Sequence, residues 1–307
     1  MGARLYGDIQ AAWFGVVGDD STDNAAALNT TITVTRLLGK LSIKLPAGVI
    51  RFGSVINFNS GYMALRGAGI GATTLRRTFA TGNAIYVASA SPNNIQSVHL
   101  SDFSMDTTVR CTTSSAMIMF ETAVGVWLTN INIAGGFWQI ALNGCFDVHI
   151  SNVAAAFGEV TEAGEIGVVV SVSTYTGAYG GNIFIDNCAF RTASGASGSA
   201  GARYGIEVVT VDGLFVTNSY FGYFKNSAAY LFNALAGVFL AGVKFNNCWF
   251  DNYDGIGVTL EGGVSANFSN IDFIGCSFLG GHNAVSNLVV VSGNPNFVKL
   301  RGAISRQ

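Results

Sequence analysis

One pattern of apolar and polar positions recurs nine times along this 307-residue sequence. Each copy opens with apolar residues at alternate positions, which is typical of a β-strand. The fifth position then carries Asn, Asp or Gly, residues that tolerate a left-handed backbone, so a sharp bend is expected there. The mean spacing of about 29 residues lies in the range of stacked repeats. The copies begin at Met63, Val98, Val126, Val148, Ile183, Leu214, Val243, Ile271 and Val298.

Like residues also recur after the bend, as expected when successive copies stack on one another. A second apolar run precedes most copies, so each repeat supplies at least two strands and no helix. Strands that coil around one axis, with about 4.8 Å between coils, would bury such columns continuously. The sequence therefore predicts an all-β parallel β-helix rather than a propeller, whose blades need about 40–45 residues. The recurring residues are Cys188, Cys248 and Cys276 at the sixth position, and Phe190, Phe221, Phe250 and Phe278 at the eighth.

The first 60 residues differ in character from the repeats. Residues 24–38 contain the only good helical stretch, with Leu28 and Ile32 on one face. A helix across the open end of a coil would cover unpaired strand edges there. The predicted segments are an N-terminal arm for attachment (1–14), a cap with one helix (15–60) and the β-helix (61–307).

Composition narrows the classes of function. Charged residues make up only 11% of the chain and the formal net charge is −2, so a surface for nucleic acid is not expected. The longest uncharged stretch, 226–243, contains two Asn and two Gly and is interpreted as two buried strands, so no membrane span is predicted. The five Cys form no CxxC pair and no cluster with His, which predicts neither a metal site nor a cofactor.

The N-terminal part of the sequence resembles a known family. Residues 15–32, 43–52 and 64–75 resemble the N-terminal signature of the pectate-lyase-3 superfamily: a Gly-Asp-Gly turn, a Thr-Asp helix start and a strand ending in Pro-Ala-Gly. Asp20 stands where the family usually has Gly. The resemblance implies a right-handed β-helix that assembles as a homotrimer. The superfamily includes bacteriophage tailspikes and appendage proteins that bind or degrade bacterial surface polysaccharide, and pectin-acting enzymes.

The best-known catalytic motifs of that superfamily are missing. Asn-Thr-Asp, Gly-His-Gly and Arg-Ile-Lys do not occur, and His282 has no supporting Asp pair in the preceding repeats. A pectin-hydrolase function is therefore disfavoured.

A different candidate site lies in the C-terminal half of the chain. A glycosidase needs two carboxyl groups, about 5–5.5 Å apart in retaining enzymes and about 6.5–9.5 Å apart in inverting ones. Outward positions of neighbouring copies bring acidic and aromatic side chains together, as a sugar site requires. The alternative is that the aromatic residues are buried between subunits and the acids are solvated. The predicted catalytic residues are Asp251, Asp254 and Glu207, and the predicted substrate-binding residues are Tyr220, Trp249, Tyr253 and Arg191.

The second position of the copies forms an outward column with several aromatic residues. An aligned apolar stripe of this kind is rare on a monomer and favours association. A trimer is what the family resemblance implies. A sugar-stacking strip is the alternative interpretation. His99 and His149 lie two coils apart, about 9.6 Å, which is too far for one metal ion. The column is Ala64, His99, Trp127, His149, Phe184, Phe215, Lys244, Asp272 and Lys299.

Two classes of function stay open. The first is a tailspike-like virion protein that binds host cell-surface polysaccharide and cleaves it, with a hydrolase favoured over a lyase. The second is a non-enzymatic virion spike, appendage or decoration protein. In both cases the expected partners are bacterial surface polysaccharide, further copies of the chain and other virion structural proteins. The expected location is the phage particle, after folding in the reducing host cytoplasm.

Overall fold

Strands that recur at the predicted spacing dominate a computed structural model of the chain. It describes residues 8–39, 42–88, 95–111, 115–157, 166–171, 180–192, 202–233, 239–251, 253, 255–262, 267–280, 286–290, 294–302 and 304–306.

Two helical elements lie near the N-terminus, a 3-10 turn at Ala11–Phe14 and helix α1 at Ala25–Leu37. The first strands are β1 (Ile9–Gln10), β2 (Ser42–Lys44), β3 (Gly48–Phe52), β4 (Ile56–Phe58), β5 (Met63–Arg66), β6 (Thr73–Arg77), β7 (Ile85–Ala88), β8 (Ile95–Thr107) and β9 (Ala116–Glu121). The next are β10 (Ala123–Ala134), β11 (Trp138–Asn143), β12 (Phe146–Phe157), β13 (Ile166–Ser171), β14 (Gly180–Asp186), β15 (Ala189–Thr192), β16 (Tyr204–Val209), β17 (Val211–Thr217) and β18 (Tyr220–Gly222). The last are β19 (Ser227–Asn233), β20 (Phe239–Asn246), β21 (Trp249–Asp251), β22 (Ile256–Gly262), β23 (Asn267–Ile274), β24 (Ser277–Leu279), β25 (Ser286–Val290), β26 (Asn294–Arg301) and β27 (Ile304–Arg306).

The described strands coil around one axis and form two parallel sheets. One sheet has nine strands in the order β25-β22-β19-β16-β13-β11-β9-β7-β4, so each strand pairs with its equivalent in the next coil. The other sheet has eighteen strands and folds around the bend of each repeat. The prediction of a parallel β-helix is therefore confirmed. The uncharged stretch 226–243 carries β19 and the start of β20, and none of the described helices is long and apolar enough to span a membrane.

The fifth position of the repeat bends as predicted in eight of the nine copies. The exception is Gly67, whose backbone lies outside the left-handed region. Side-chain amides also join consecutive coils along this edge. The amide of Asn152 donates to Asn130 (3.2 Å), and that of Asn247 donates to Asn218 (2.9 Å). The residues with positive φ are Asp102 (62°), Asn130 (54°), Asn152 (53°), Asn187 (51°), Asn218 (50°), Asn247 (53°), Gly275 (60°) and Gly302 (59°).

A second column of left-handed residues immediately precedes the copies. Its members vary in type, from Tyr and Ser to Gly, Asp and Asn, and the sequence pattern did not reveal them. At these residues the chain turns into the strand of the next copy, whose second position belongs to the outward column. The residues of this second column are Tyr62, Ser97, Gly125, Asp147, Asn182, Gly213, Gly242 and Asn270.

The interior consists of stacked columns of apolar side chains. Phe190, Phe221, Phe250 and Phe278 are buried and stack at ring-centroid distances of 5.5, 5.5 and 5.0 Å. The five Cys are all buried free thiols, as expected for small apolar fillers.

Helix α1 of the N-terminal segment packs against β2 and β4. Helix α1 buries Ala25, Leu28, Thr31, Ile32 and Thr35. Asp23 accepts a hydrogen bond from the Ala25 N–H (3.0 Å) at its start. Within residues 15–60, β2, β3 and β4 pair with β5, β6 and β7. The first coil is thus already formed inside the predicted cap segment, and the domain boundaries stay a prediction.

Candidate functional site

The structure brings together most of the predicted site residues of the eighteen-stranded sheet. Tyr220 on β18 is in register with Trp249 on β21, and the two rings meet edge to face at 6.3 Å and 81°. Arg191 on β15 is in register with Gly222, which is in register with Asp251. We call Arg191, Tyr220, Trp249 and Asp251 the Trp249 group. It spans three consecutive coils.

Hydrogen bonding fixes the phenol at the centre of this group. The Tyr220 hydroxyl donates to Asp251 Oδ2 at 3.0 Å. Burial raises the pKa of Tyr220 and the adjacent Asp251 carboxylate raises it further, while Arg191 acts in the opposite direction. The phenol therefore stays protonated and keeps donating. Gly222 makes room for it, because a Cβ there would overlap the Tyr220 hydroxyl.

Tyr220 and Trp249 of this group border a shallow cavity of about 230 Å³. The Asn side chains of the bend, Asn218 and Asn247, line one part of it, and Gly275 and Ser277 line another. Trp249 is 51% exposed, although a large apolar side chain is usually buried. The result is an open aromatic surface beside amide and carboxylate groups.

Tyr253 is a predicted site residue that does not join this group. Tyr253 has no exposed surface at all, so the prediction that it binds substrate is wrong: the chain turns its ring into the interior after β21. Its pKa is raised by that burial and by Asp251. Asp254 and His282 lie outside the described residues.

Glu207 lies on the nine-stranded sheet, whereas Asp251 lies on the eighteen-stranded sheet. The two carboxylates therefore do not share a surface. Glu207 is on β16, in register with Tyr230 on β19. The Tyr230 hydroxyl donates to Glu261 Oε2 at 2.6 Å, and the Tyr204 and Tyr230 rings stack at 4.6 Å. We call Tyr204, Glu207, Tyr230 and Glu261 the Glu207 group. Burial raises the pKa of Glu207, and Arg203 partly opposes that shift.

Tyr204 and Tyr230 are not among the site residues predicted from the sequence. They belong to the apolar runs that precede the copies, where no repeated residue type marks them. Aligning those runs places Glu207 beside Tyr230, with Glu261 two residues further along the next coil. That alignment is the signal that would have found them.

The predicted outward column is a continuous stack of rings. Centroids lie 4.3 Å apart for His99 and Trp127, 5.7 Å for Trp127 and His149, 4.9 Å for His149 and Phe184, and 5.2 Å for Phe184 and Phe215. The planes are within 18° of parallel. We call these five residues the ring column. Since each ring covers the face of the next, mainly ring edges point to solvent. The described residues contain no group of three side chains that would hold a metal ion.

No protein-family model and no curated protein matches the chain. Solved structures do match it. The tailspike protein mutant D339N of E. coli bacteriophage HK620, in complex with a pentasaccharide, has a TM-score of 0.70 at 15% identity, over 96% of this chain and 57% of that one. The family 28 exopolygalacturonase of Yersinia enterocolitica has a TM-score of 0.67 at 10% identity, over 97% and 65%. ORF18 of Geobacillus virus E2 has a TM-score of 0.62 at 17% identity, over 97% and 61%.

The chain is a right-handed parallel β-helix. The chain spans about three fifths of the length of the two phage proteins. At these identities the likeness shows the fold, and the chemistry has to be argued from the side chains. On this β-helix the Trp249 and Glu207 groups occupy the same three coils, on different sheets.

Proposed function

We propose that this chain is a virion protein that binds a polysaccharide of the bacterial cell surface through the Trp249 group. The observation that carries the proposal is Trp249, half exposed and held edge-on against Tyr220, whose hydroxyl is bonded to Asp251. Pyranose rings present apolar faces that stack on aromatic rings and hydroxyls that need polar partners. Sites for such ligands combine aromatic surface with a few placed polar groups. The pentasaccharide in the HK620 tailspike complex supports this choice of ligand class.

Each side chain of the Trp249 group has a separate task in this proposal. Trp249 stacks on a sugar ring, and the Asp251 carboxylate accepts hydrogen bonds from sugar hydroxyls. Arg191 is exposed and two coils from Asp251, so it recognises an acidic group on a neighbouring sugar. Tyr220 holds Asp251 in place.

Trp249→Ala is expected to lower the affinity for host polysaccharide about tenfold or more, because truncating an aromatic anchor removes the stacked contact. Titration calorimetry with purified capsule or lipopolysaccharide measures it. Trp13→Ala is the matched control, since Trp13 is 70% exposed but lies in the N-terminal 3-10 turn. Equal losses in both variants, or none at Trp249, would contradict the proposal.

Cleavage of the bound polysaccharide is a second candidate function, and the Glu207 group favours it. A general acid must carry a proton at working pH, and burial raises the pKa of Glu207. Glu261 lies two coils away, about 9.6 Å along the axis, and two residues further along its strand, with Tyr230 between them. Asp251 is on the other sheet, so Glu261 is the carboxylate partner within the sheet of Glu207. Two carboxyl groups with different environments are what glycoside hydrolysis requires.

If the chain cleaves the polysaccharide, Glu207→Gln is expected to lower the rate about 100-fold or more while binding is kept. New reducing ends report hydrolysis, and absorbance of unsaturated uronate reports a lyase. Asp212→Asn, an exposed acid on β17, is the control that should keep full activity. Binding without product from any host polysaccharide assigns the chain to the non-enzymatic class.

The proposal includes a homotrimer on the phage particle that packs on Phe184 and Phe215. Phe184 is 37% exposed, and ring edges in a row suit an apolar contact better than they suit a sugar face. The covered ring faces therefore disfavour the sugar-stacking interpretation of the ring column. The buried thiols fit folding in the host cytoplasm before assembly.

A further inference from the structure

The ring column stops at His99, and a cavity takes its place. Register continues the same outward column to Ala64 and then to Ser42. Asp8 directly precedes Ile9, which pairs with Ile43, so Asp8 lies beside Ser42. These positions carry no ring. A cavity of about 310 Å³ lies where rings would continue the column. Its lining includes Asp8, Ser42, Tyr62, Ala64, Arg66 and His99. We call this cavity the N-terminal slot.

The slot contains a face of the ring column that no ring of the described residues covers. Trp127 covers one face of His99, and the other face points along the column towards Ala64. At the far end, the Lys244 ammonium lies 5.7 Å from the centre of the Phe215 ring. Burial and the neighbouring Arg66 both lower the pKa of His99, so its ring is neutral at neutral pH. A neutral flat face is a surface on which another ring can stack.

The walls of the slot supply a cation and hydrogen-bonding groups. The Arg66 side chain is 55% exposed, and its nearest carboxylate oxygen, on Asp102, is 3.9 Å from Nε. That carboxylate already accepts hydrogen bonds from Ser101 Oγ (2.8 Å) and Asn130 Nδ2 (3.0 Å). The ion pair with Asp102 is long and involves Nε, so the guanidinium keeps donors for an outside anion. Ser42 Oγ is buried and has no hydrogen-bond partner among the described residues, which costs free energy unless a ligand supplies one.

We propose that the N-terminal slot binds one sugar-acid residue, with the sugar ring on His99, the carboxylate on Arg66 and hydroxyls on Ser42 and Asp8. Arg is suited to a carboxylate because its planar donors match both oxygens. An aromatic carboxylate would fill the same space but has no hydroxyls for Ser42 and Asp8. The volume lies at the small end of the usual range, roughly 300–1,000 Å³, and suits a single residue rather than an oligosaccharide.

This site is independent of the proposed function. Ala64 and Trp249 are six coils apart, about 29 Å, and the two groups share no residue. An experiment that contradicts binding at the N-terminal slot therefore leaves the proposal for the Trp249 group unaffected, and the reverse also holds.

The test titrates the full chain with glucuronate, glucose and benzoate, followed by ligand-observed NMR. Glucuronate is expected to bind most tightly, and Arg66→Gln is expected to weaken it about tenfold because a charge-assisted contact is lost. Ala64→Phe places a ring in the slot and is expected to abolish binding while the melting temperature is kept. Ala154→Phe is the matched control, because Ala154 is exposed on β12 away from the slot.

Each other outcome overturns the proposal. Equal binding of benzoate would show that the ring rather than the sugar hydroxyls is recognised. Equal binding of glucose, or full binding in Arg66→Gln, would remove the role of the carboxylate. A change in the mass of the assembly on Ala64→Phe, without glucuronate binding to the unmodified chain, would mean that another copy fills the slot. No binding of any of the three probes would remove the site altogether.

Discussion

Phe250→Ala is expected to lower the free energy of unfolding by about 3–5 kcal/mol, the usual cost of emptying a buried phenylalanine site. Phe250 is completely buried and stacks between Phe221 and Phe278, at 5.5 and 5.0 Å. The rings of Phe245 and Phe273 meet it edge to face. Because stacked coils hold these rings at fixed heights, the neighbours cannot collapse into the cavity without breaking strand pairing.

Urea unfolding followed by circular dichroism measures this loss. Phe250→Leu keeps most of the volume and is expected to cost about 1–1.5 kcal/mol. Leu300→Ala is the surface control, since Leu300 is 51% exposed, and is expected to change stability by less than about 0.5 kcal/mol. A loss at Phe250 no larger than that at Leu300 would mean that the phenylalanine column does not hold the coils together.

The stacking of the coils explains why so much of the fold could be predicted from the sequence. In a coiled stack, residues at one position of the repeat touch each other, so their kinds become correlated. Asn187, Asn218 and Asn247 recur because one bend is repeated, and the phenylalanines recur because one column is filled. Because the bend and the column each need a particular residue type, each leaves a repeated residue type in the sequence.

Features that accept many residue types stayed hidden. The second left-handed column contains Ser97, Gly125 and Asp147 in consecutive copies, so no repeated letter marks it. Tyr253 follows a strand, where alternation no longer says which side chains point outward, and its ring turned out to be buried. Alternation along a strand predicts which of its side chains face inward and which face outward. It does not predict which way a side chain points after the strand has ended.

The candidate site was predictable within one sheet and not between sheets. Tyr220, Trp249 and Asp251 were grouped by repeat position, and the structure places them in contact or in register. The sequence predicts Glu207 as a further member because it lies on a neighbouring strand. That strand belongs to the other sheet, where Tyr230 and Glu261 surround it instead. Repeat position fixes the neighbours of a residue along the axis, whereas the corner between sheets decides which strands share a surface.

Gly67 and Gly275 occupy the same repeat position for different physical reasons, and Asn substitution is expected to separate them. Gly275 has a φ of +60°, with nothing within 4 Å of a Cβ built there. Asn tolerates that backbone, as Asn247 in the preceding copy shows with a φ of 53°. Gly275→Asn is therefore expected to leave stability unchanged or to raise it by up to about 1 kcal/mol, through an added amide contact to Asn247.

Gly67→Asn is expected to destabilise the chain by about 3 kcal/mol or more, because the space is already filled by backbone. A Cβ at Gly67 would overlap the carbonyl oxygen of Asp102 and lie 2.8 Å from the Phe103 Cβ. The coils cannot separate to relieve this, since the Gly67 N–H donates to the Ser101 carbonyl at 2.9 Å and the Gly69 N–H to that of Asp102 at 2.9 Å. Urea unfolding of the two variants side by side measures the difference. Similar stabilities would mean that the first coils adapt as freely as the last, and that a glycine at this position reflects only the left-handed bend.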